Sequence, residues 1–242
     1  MDNYSSIDKD ELKKFDAIAN KWWDVNGEFK ILHDINPLRI KYIQEKIRSH
    51  FKLKNKNSIK KIKLLDIGCG GGLVSSELCK LGIIVTALDA SANNISVAKN
   101  HAKHNKLSIK YLNCTAEELV AQNEKFDVVL CLEVIEHVSN PQEFVANITK
   151  LMAPQGMLII STINRSAKSY MLAIIMAEYI LGWVPKGTHD YNKFVKPSEL
   201  NNFLEPHRLS LVELKGLIYD LCSKNWQLSS DVDVNYFAYI TN

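Results

Sequence analysis

Several hallmarks of large protein classes are missing from this sequence. Its five cysteines in 242 residues are odd in number and have no zinc-ligand spacing, which argues against a disulfide scaffold or a zinc ribbon and for reduced thiols in a cytosol-like compartment. No uninterrupted apolar run reaches the ~20 residues of a membrane span. The first residues, Met1-Asp2-Asn3-Tyr4-Ser5, have neither the basic start nor the apolar run of a signal peptide. A formal net charge of +3 is too small to argue a nucleic-acid partner. Internal repeats and low-complexity tracts are absent too, and the lysine-rich stretch from Lys52 to Lys63 reads as a solvated link. What remains, at 46% hydrophobic and 24% charged residues, is a chain able to bury the core of one domain with appended segments.

Glycine is sparse, ten in all, yet four of the ten crowd into Gly68-Cys69-Gly70-Gly71-Gly72. The run before them, Leu64-Leu65-Asp66-Ile67, reads as a buried parallel strand, and Leu73 to Lys80 as the helix that leaves the turn. Glycines there let a backbone approach a ligand closely, and an acid two residues before the first glycine suits a nucleoside-binding turn. The dinucleotide fingerprint fails, because the position of its third glycine is held by Leu73. A second apolar run, Ile83 to Leu88, ends at Asp89, whose carboxylate can accept from both hydroxyls of a ribose. Ser108 to Leu112 reads as a third strand, followed by a polar loop that runs into a helix start and offers Ala116 and Glu117 to flank an adenine. A fourth strand, Phe126 to Cys131, delivers Leu132 and Glu133 to the same carboxyl edge, where open α/β sheets bind ligands.

This βαβαβαβ order, with its acid-ended strands and glycine turn over Lys61 to Ser161, resembles the class I S-adenosylmethionine-dependent methyltransferases. The resemblance implies an α/β, Rossmann-like fold: a mostly parallel seven-stranded sheet with helices on both faces, an N-terminal helical arm at 1–60, a transferase domain at 61–242 and a helical lid inserted at about 164–192. Carried over by position, Gly68 and Gly70 with Asp66 face the methionine part of S-adenosyl-L-methionine, Asp89 its ribose and Leu132 its adenosine side.

Three further segments bear on the acceptor. In the N-terminal arm, Arg39 follows Pro37, read as a proline-led helix start, so that its guanidinium can reach the cofactor carboxylate as a bidentate partner. Trp22 and Trp23, in the same arm, suit packing better than substrate contact. In the second segment, Glu133, Glu136 and His137 fall at i, i+3 and i+4 and share one face if helical. Two carboxylates and an imidazole can hold a divalent cation, with Mg²⁺ suited to the oxygens and zinc or manganese to the imidazole. A cation there stabilises a phenolate, which matters because a phenol of pKa about 10 is a poor nucleophile at neutral pH. His137 as a metal-free general base, and a plain capping and surface-polar role for the cluster, are the alternatives. The third segment, Asn164 to Asp190, is apolar nearly all round between Lys168 and the Trp183/Lys186 pair. It suits a lipid interface, a greasy substrate or a buried core helix equally. His189 and Asp190 form a further candidate proton-handling pair that chain order alone does not place.

The WWD near the start, the HDINPLR run, EVIEHV after the fourth strand, AEYILGWVPKGTHDYNKFVKPSEL and the closing DVDVNYF together resemble the bacterial ubiquinone biosynthesis O-methyltransferases and their mitochondrial counterparts, from Phe15 to Tyr236. Leu132 departs from the methionine common in relatives, a volume-conserving change. The resemblance implies O-methylation of a polyprenyl benzenediol and of demethylubiquinol, with Glu133, Glu136 and His137 catalytic. It also implies a cytoplasmic protein peripheral on the inner face of the cytoplasmic membrane through about 168–186, with other ubiquinone-biosynthesis proteins as neighbours. A methyltransferase for small soluble phenols would share every core motif but have no use for a lipid-seeking lid. A cofactor-binding scaffold would have no need of the Glu133, Glu136 and His137 cluster.

Overall fold

The computed structural model describes residues 8–172 and 190–242. Two helices form the N-terminal arm, α1 (Lys9–Ile18) and α2 (Lys30–His50). The core then alternates: β1 (Lys63–Ile67), α3 (Leu73–Lys80), β2 (Ile84–Asp89), α4 (Ala92–His104), β3 (Lys110–Asn113), α5 (Ala116–Val120), β4 (Phe126–Leu132), α6 (Pro141–Thr149) and β5 (Met152–Ile163). The short α7 (Ala167–Ser169) and then α8 (Pro197–Leu204) precede three final strands, β6 (Ser210–Asp220), β7 (Asn225–Ser229) and β8 (Asn235–Thr241).

The strands join in the order β3-β2-β1-β4-β5-β8-β6-β7. The first five are parallel to one another, and the β5–β8, β8–β6 and β6–β7 pairs are antiparallel. Among the described residues the sheet thus has eight strands where seven were expected. The additional one, Asn-Trp-Gln-Leu-Ser, is short and mixes polar with apolar residues, so it has no run to announce it; it forms as the return arm of a hairpin on β6. Strand order reverses between β1 and β4, and the crevice beyond their carboxyl ends is where such sheets hold ligands.

Alternation along the parallel strands sends side chains to two cores. Leu64, Val128 and Leu130 face Ile43, Ile47, Leu78 and Ile95 of α2, α3 and α4. Their neighbours Leu65, Val129 and Ile160 face Leu119, Val145, Ile148 and Leu200 of α5, α6 and α8. Helices therefore cover both faces, and the arm shares the core of the transferase region through fully buried Ile43 and Ile47. The lysine-rich link is fixed as well, because Ile59 and Ile62 turn inward from it.

Helix α2 runs for 21 residues with Pro37 inside it, which corrects the expected start at that proline. Proline favours a first turn but tolerates an interior site when the missing N–H and the ring fall on the solvent side. Pro37 is exposed, while Ile35, Tyr42, Ile43 and Ile47 bury the opposite stripe and hold the helix together across the gap. Among the described residues no helix is long and apolar enough to cross a membrane.

Candidate active site

The glycine turn is shaped by left-handed backbone and by what presses on it. Gly68 and Gly70 have φ of 68° and 53°, a region that penalises any side chain. A Cβ on Gly68 would also overlap Val134, and one on Gly70 would overlap the indole of Trp22. Trp22 is buried against the turn, donates through Nε1 to Asn94 Oδ1 at 2.9 Å and stacks on Phe29. Trp23 donates to the Gly71 carbonyl at 3.1 Å. Both tryptophans are thus packing elements of the arm against the turn.

Two buried carboxylates flank that turn. Asp89, at the end of β2, accepts from Gly70 N at 2.8 Å, Ser91 N at 2.8 Å and Asn94 Nδ2 at 3.3 Å. Burial raises its pKa, and the backbone donors of Ser91 and Gly70 only partly offset that. Asp66 accepts from Ser75 Oγ at 2.5 Å. Burial, reinforced by the charge of Asp89, pushes Asp66 up to about 6 against the Ser75 hydrogen bond and Arg39.

The fourth strand ends in a backbone outlier. Glu133 sits at φ 55°, so the expected helical face across Glu133, Glu136 and His137 does not form, and only Ile135–His137 makes a 3₁₀ turn. A carboxylate side chain in the left-handed region is strained, and strain of this kind gathers at functional sites. Glu133 Oε1 accepts from Ser161 Oγ at 2.6 Å and from Arg39 Nη2 at 3.1 Å. Glu136 is buried, accepts from Thr162 Oγ1 at 2.8 Å and is pushed up to about 7 by burial and then by the charge of Glu133. His137 Nδ1 meets Glu11 Oε2 at 2.9 Å, and its ring stands edge-on to Phe15. Burial draws the imidazole pKa down, but the Glu11 hydrogen bond and the charges of Glu136, Glu11 and Glu133 outweigh it and leave it raised. The same contact holds Glu11 down at about 2.

The glycine turn, the four acids Asp66, Asp89, Glu133 and Glu136, and His137 with Glu11 line one cavity of about 830 Å³. The expected cofactor residues Arg39, Asp66, Gly68, Gly70, Asp89, Ala116, Glu117 and Leu132 all line it, and so do Glu133, Glu136 and His137. Helix α5 is held by a capping box, Thr115 Oγ1 accepting from Glu118 N at 3.2 Å and Glu118 Oε2 accepting from Thr115 N at 2.8 Å. That cap presents Ala116 and Glu117 at the cavity wall. Both Glu117 carboxylate oxygens and Arg39 Nε are buried polar atoms without a partner. An unpaired acceptor pair at one wall and an unpaired cationic donor at another match the adenine amino group and the carboxylate of S-adenosylmethionine, so the residues present fit that group.

A divalent cation is fitted less directly. The donor types suit one, and Glu136 carries the repulsion of Glu133 that a cation would relieve. In this conformation, however, the three side chains turn to Arg39, Thr162 and Glu11, and among the described residues no group of three or more His, Cys, Asp or Glu is arranged to hold a metal.

Glu11 was not legible as a site residue, because Asp8-Lys9-Asp10-Glu11 carries only the signature of a helix start, and Asp8 does cap α1. Lys193, which pairs with Asp8 and Glu11, is equally silent in sequence. Asp190 accepts from Asn192 N at 2.9 Å and caps the turn Tyr191–Lys193. His189, Trp183 and Lys186 lie outside the described residues.

Residues 65–160 match the family described as a methyltransferase domain. The chain is 54% identical to the ubiquinone biosynthesis O-methyltransferase of Rickettsia felis, covering 96% of this chain and 93% of that one. It is 53% identical to the protein of the same name from Rickettsia canadensis, covering 98% of each. Among solved structures, a protein from Pyrococcus horikoshii is similar with a TM-score of 0.62 at 15% identity over 94% of this chain and 98% of that one. The magnesium protoporphyrin IX methyltransferase from Synechocystis with bound SAH is similar with a TM-score of 0.54 at 18% identity over 94% and 99%. At these identities the structural likeness shows the fold, that of the class I methyltransferases.

The Asp66 environment yields a pH prediction. A carboxyl whose folded-state pKa of about 6 exceeds its ordinary 3.8 favours the neutral form, so it costs stability as pH rises through that window. Asp66→Asn cannot ionise. Urea unfolding of wild type and Asp66→Asn at pH 4 and pH 7 is expected to move in the variant's favour by up to ~3 kcal/mol; an identical difference at both pH values would contradict it.

Proposed function

Because the chain belongs to the ubiquinone biosynthesis O-methyltransferase family, we infer that it uses S-adenosylmethionine to methylate catechol-type hydroxyls of polyprenylated intermediates on the route to ubiquinone. The two acceptors are a polyprenyl benzenediol and a demethylubiquinol. The observation that carries this reading is a single cavity with unpaired Arg39 Nε and Glu117 oxygens among its cofactor-facing groups and a carboxylate-held histidine beyond them.

When bound, the cofactor supplies an electrophilic methyl group on a sulfonium. Arg39 Nε would take its carboxylate, the Glu117 oxygens would accept from its adenine amino group, and Asp89, with three donors already on it, retains one acceptor site on Oδ2 for a ribose hydroxyl. Glu11 orients His137 through Nδ1, so that Nε2 is the atom to receive the proton of the acceptor hydroxyl. That proton transfer is needed because the phenol, with a pKa of about 10, is a weak nucleophile at neutral pH. Arg39 and Ser161 hold Glu133 at the mouth of the strand, where it faces the acceptor.

A second reading gives Glu133, Glu136 and His137 a divalent cation, Mg²⁺ by preference for oxygen donors, and it is favoured by the mutual charge of the two carboxylates. To take one up, Glu133 must leave Arg39 and His137 must leave Glu11. In either reading the protein works at the inner face of the cytoplasmic membrane as a peripheral enzyme, beside other proteins of the pathway, since its acceptors carry tails that partition into the bilayer. Residues 1–60 serve as the arm, 61–242 as the transferase domain, and about 168–186, of which 173–186 lie outside the described residues, as the segment for membrane contact.

Methyl transfer from labelled S-adenosylmethionine to a tailed catechol tests this. His137→Asn is expected to lower the rate by roughly 10²- to 10⁴-fold; an undiminished rate would remove the base, and a wild type active only on small soluble phenols would contradict the function. In the same assay the cation reading predicts loss of transfer in excess chelator with cofactor affinity intact, whereas an unchanged rate returns the chemistry to His137 alone. For the lid, liposome co-sedimentation is expected to fall in the double variant Trp183→Ala, Lys186→Glu; equal sedimentation of both proteins would sink membrane contact.

A further inference from the structure

The cavity does not end at the reacting groups. At about 830 Å³ it lies towards the upper end of the ~300–1,000 Å³ usual for small-molecule sites. Besides Glu133 and His137 its lining takes in the start of α2 and the β6–β7 hairpin, where apolar side chains predominate beside Lys168 and Asp231. That hairpin includes β7, the strand beyond the expected seven, which the cofactor site does not use.

We propose that this extension is a groove for the polyisoprenoid tail of the acceptor, floored by Ile31, Ile35 and Leu217 and walled by Tyr219, Trp226 and Leu221. The inference rests on the reading of the acceptor as a tailed catechol and adds where the tail lies.

The sheet geometry builds such a surface. Leu217 and Tyr219 are two apart on β6 and share a face, and Trp226 on β7 stands opposite Tyr219 in the register. The two rings meet edge to face at 5.4 Å, a stiff aromatic wall. Ile31 and Ile35, four apart on α2, present one helical face to the same space and belong with Leu217 and Trp226 to one apolar cluster. Polar backbone is kept out of the floor at Leu217, whose N–H donates to Asn235 Oδ1 at 2.7 Å and whose carbonyl accepts from Asn235 Nδ2 at 3.1 Å. A long apolar chain lying there meets few groups that would lose water without a replacement.

The mouth is marked by exposure. Among the described residues, seven large hydrophobic side chains are exposed, and of these Leu172 and Leu221 line the cavity. Leu221, at the hairpin turn, is 80% exposed. Exposed leucines scattered singly need no explanation, but two on the rim of a cavity that starts at a catechol site do. Continuity with the reacting end selects the tail as occupant: the chain that must leave the ring is linear and apolar, and this is the apolar way out.

The test compares kcat/KM for a catechol bearing a polyisoprenoid tail with that for the same catechol without one, in mixed micelles. Wild type, Leu221→Glu and Trp226→Ala are assayed, with S-adenosylhomocysteine affinity measured alongside. The tailed-to-tailless ratio is expected to exceed one in wild type and to fall at least tenfold in Leu221→Glu, about 1.4 kcal/mol, with cofactor affinity retained. A wild type without preference for the tail, or a ratio unaltered in the variants, overturns the groove. Wild type that methylates neither acceptor overturns the parent reading, and the groove with it. Because Leu221 is so exposed, its substitution does not endanger folding, and it decides the matter alone if Trp226→Ala fails to fold.

Discussion

One hydrogen bond, from Gly70 N to Asp89 Oδ2 at 2.8 Å, ties the first crossover to the second at the carboxyl edge of the sheet. It fixes the glycine turn against the end of β2 and keeps a carboxylate where water has little access. Asp66 stands beside it, and burial prevails over the Ser75 hydrogen bond and the charge of Arg39, since its pKa still rises to about 6. The pocket is thus poised with negative charge that its own residues do not fully answer. Burying a carboxylate costs several kcal/mol unless it is well paired, and a cationic ligand answers that charge directly. S-adenosylmethionine carries both an ammonium and a sulfonium, so the same unfavourable burial that weakens the empty fold favours the loaded one.

The other half of the site depends on the N-terminal arm. Helix α1 brings Glu11 and Phe15 to His137, and α2 brings Arg39 to Glu133. Lys193 draws Asp8 and Glu11 from the opposite side, so the arm is pinned by charge over the cavity as well as by Ile43 and Ile47 in the core. In the proposed function the transferase core holds the methyl donor together with Arg39 of the arm, and Glu11 of the arm sets the acceptor's base.

Much of this was legible in the chain. The glycine turn and the acids Asp66 and Asp89 declare themselves because parallel strands buried on both faces must be apolar throughout, so a terminal acid stands out. Three features were misread for physical reasons. Pro37 imitates a helix start because proline favours one, yet the buried stripe of α2 carries the helix past it. Glu133, Glu136 and His137 have helical spacing, but the chain leaves β4 through a left-handed residue and breaks that face before it forms. Strand β7 escapes notice because its five residues, two exposed and three half-buried, have no run of their own and pair only because β6 is there. Glu11 was invisible for a different reason: its contact with His137 spans 126 residues, and no local pattern encodes it.

In the proposed function Asp89 grips the cofactor's ribose. Calorimetric titration of S-adenosylhomocysteine into wild type and Asp89→Ala examines that grip without catalysis or acceptor. Loss of charge-assisted hydrogen bonds predicts binding weakened by roughly 1.5 to 3 kcal/mol in the variant. No heat of binding in the wild type, or equal affinity in both proteins, would contradict it.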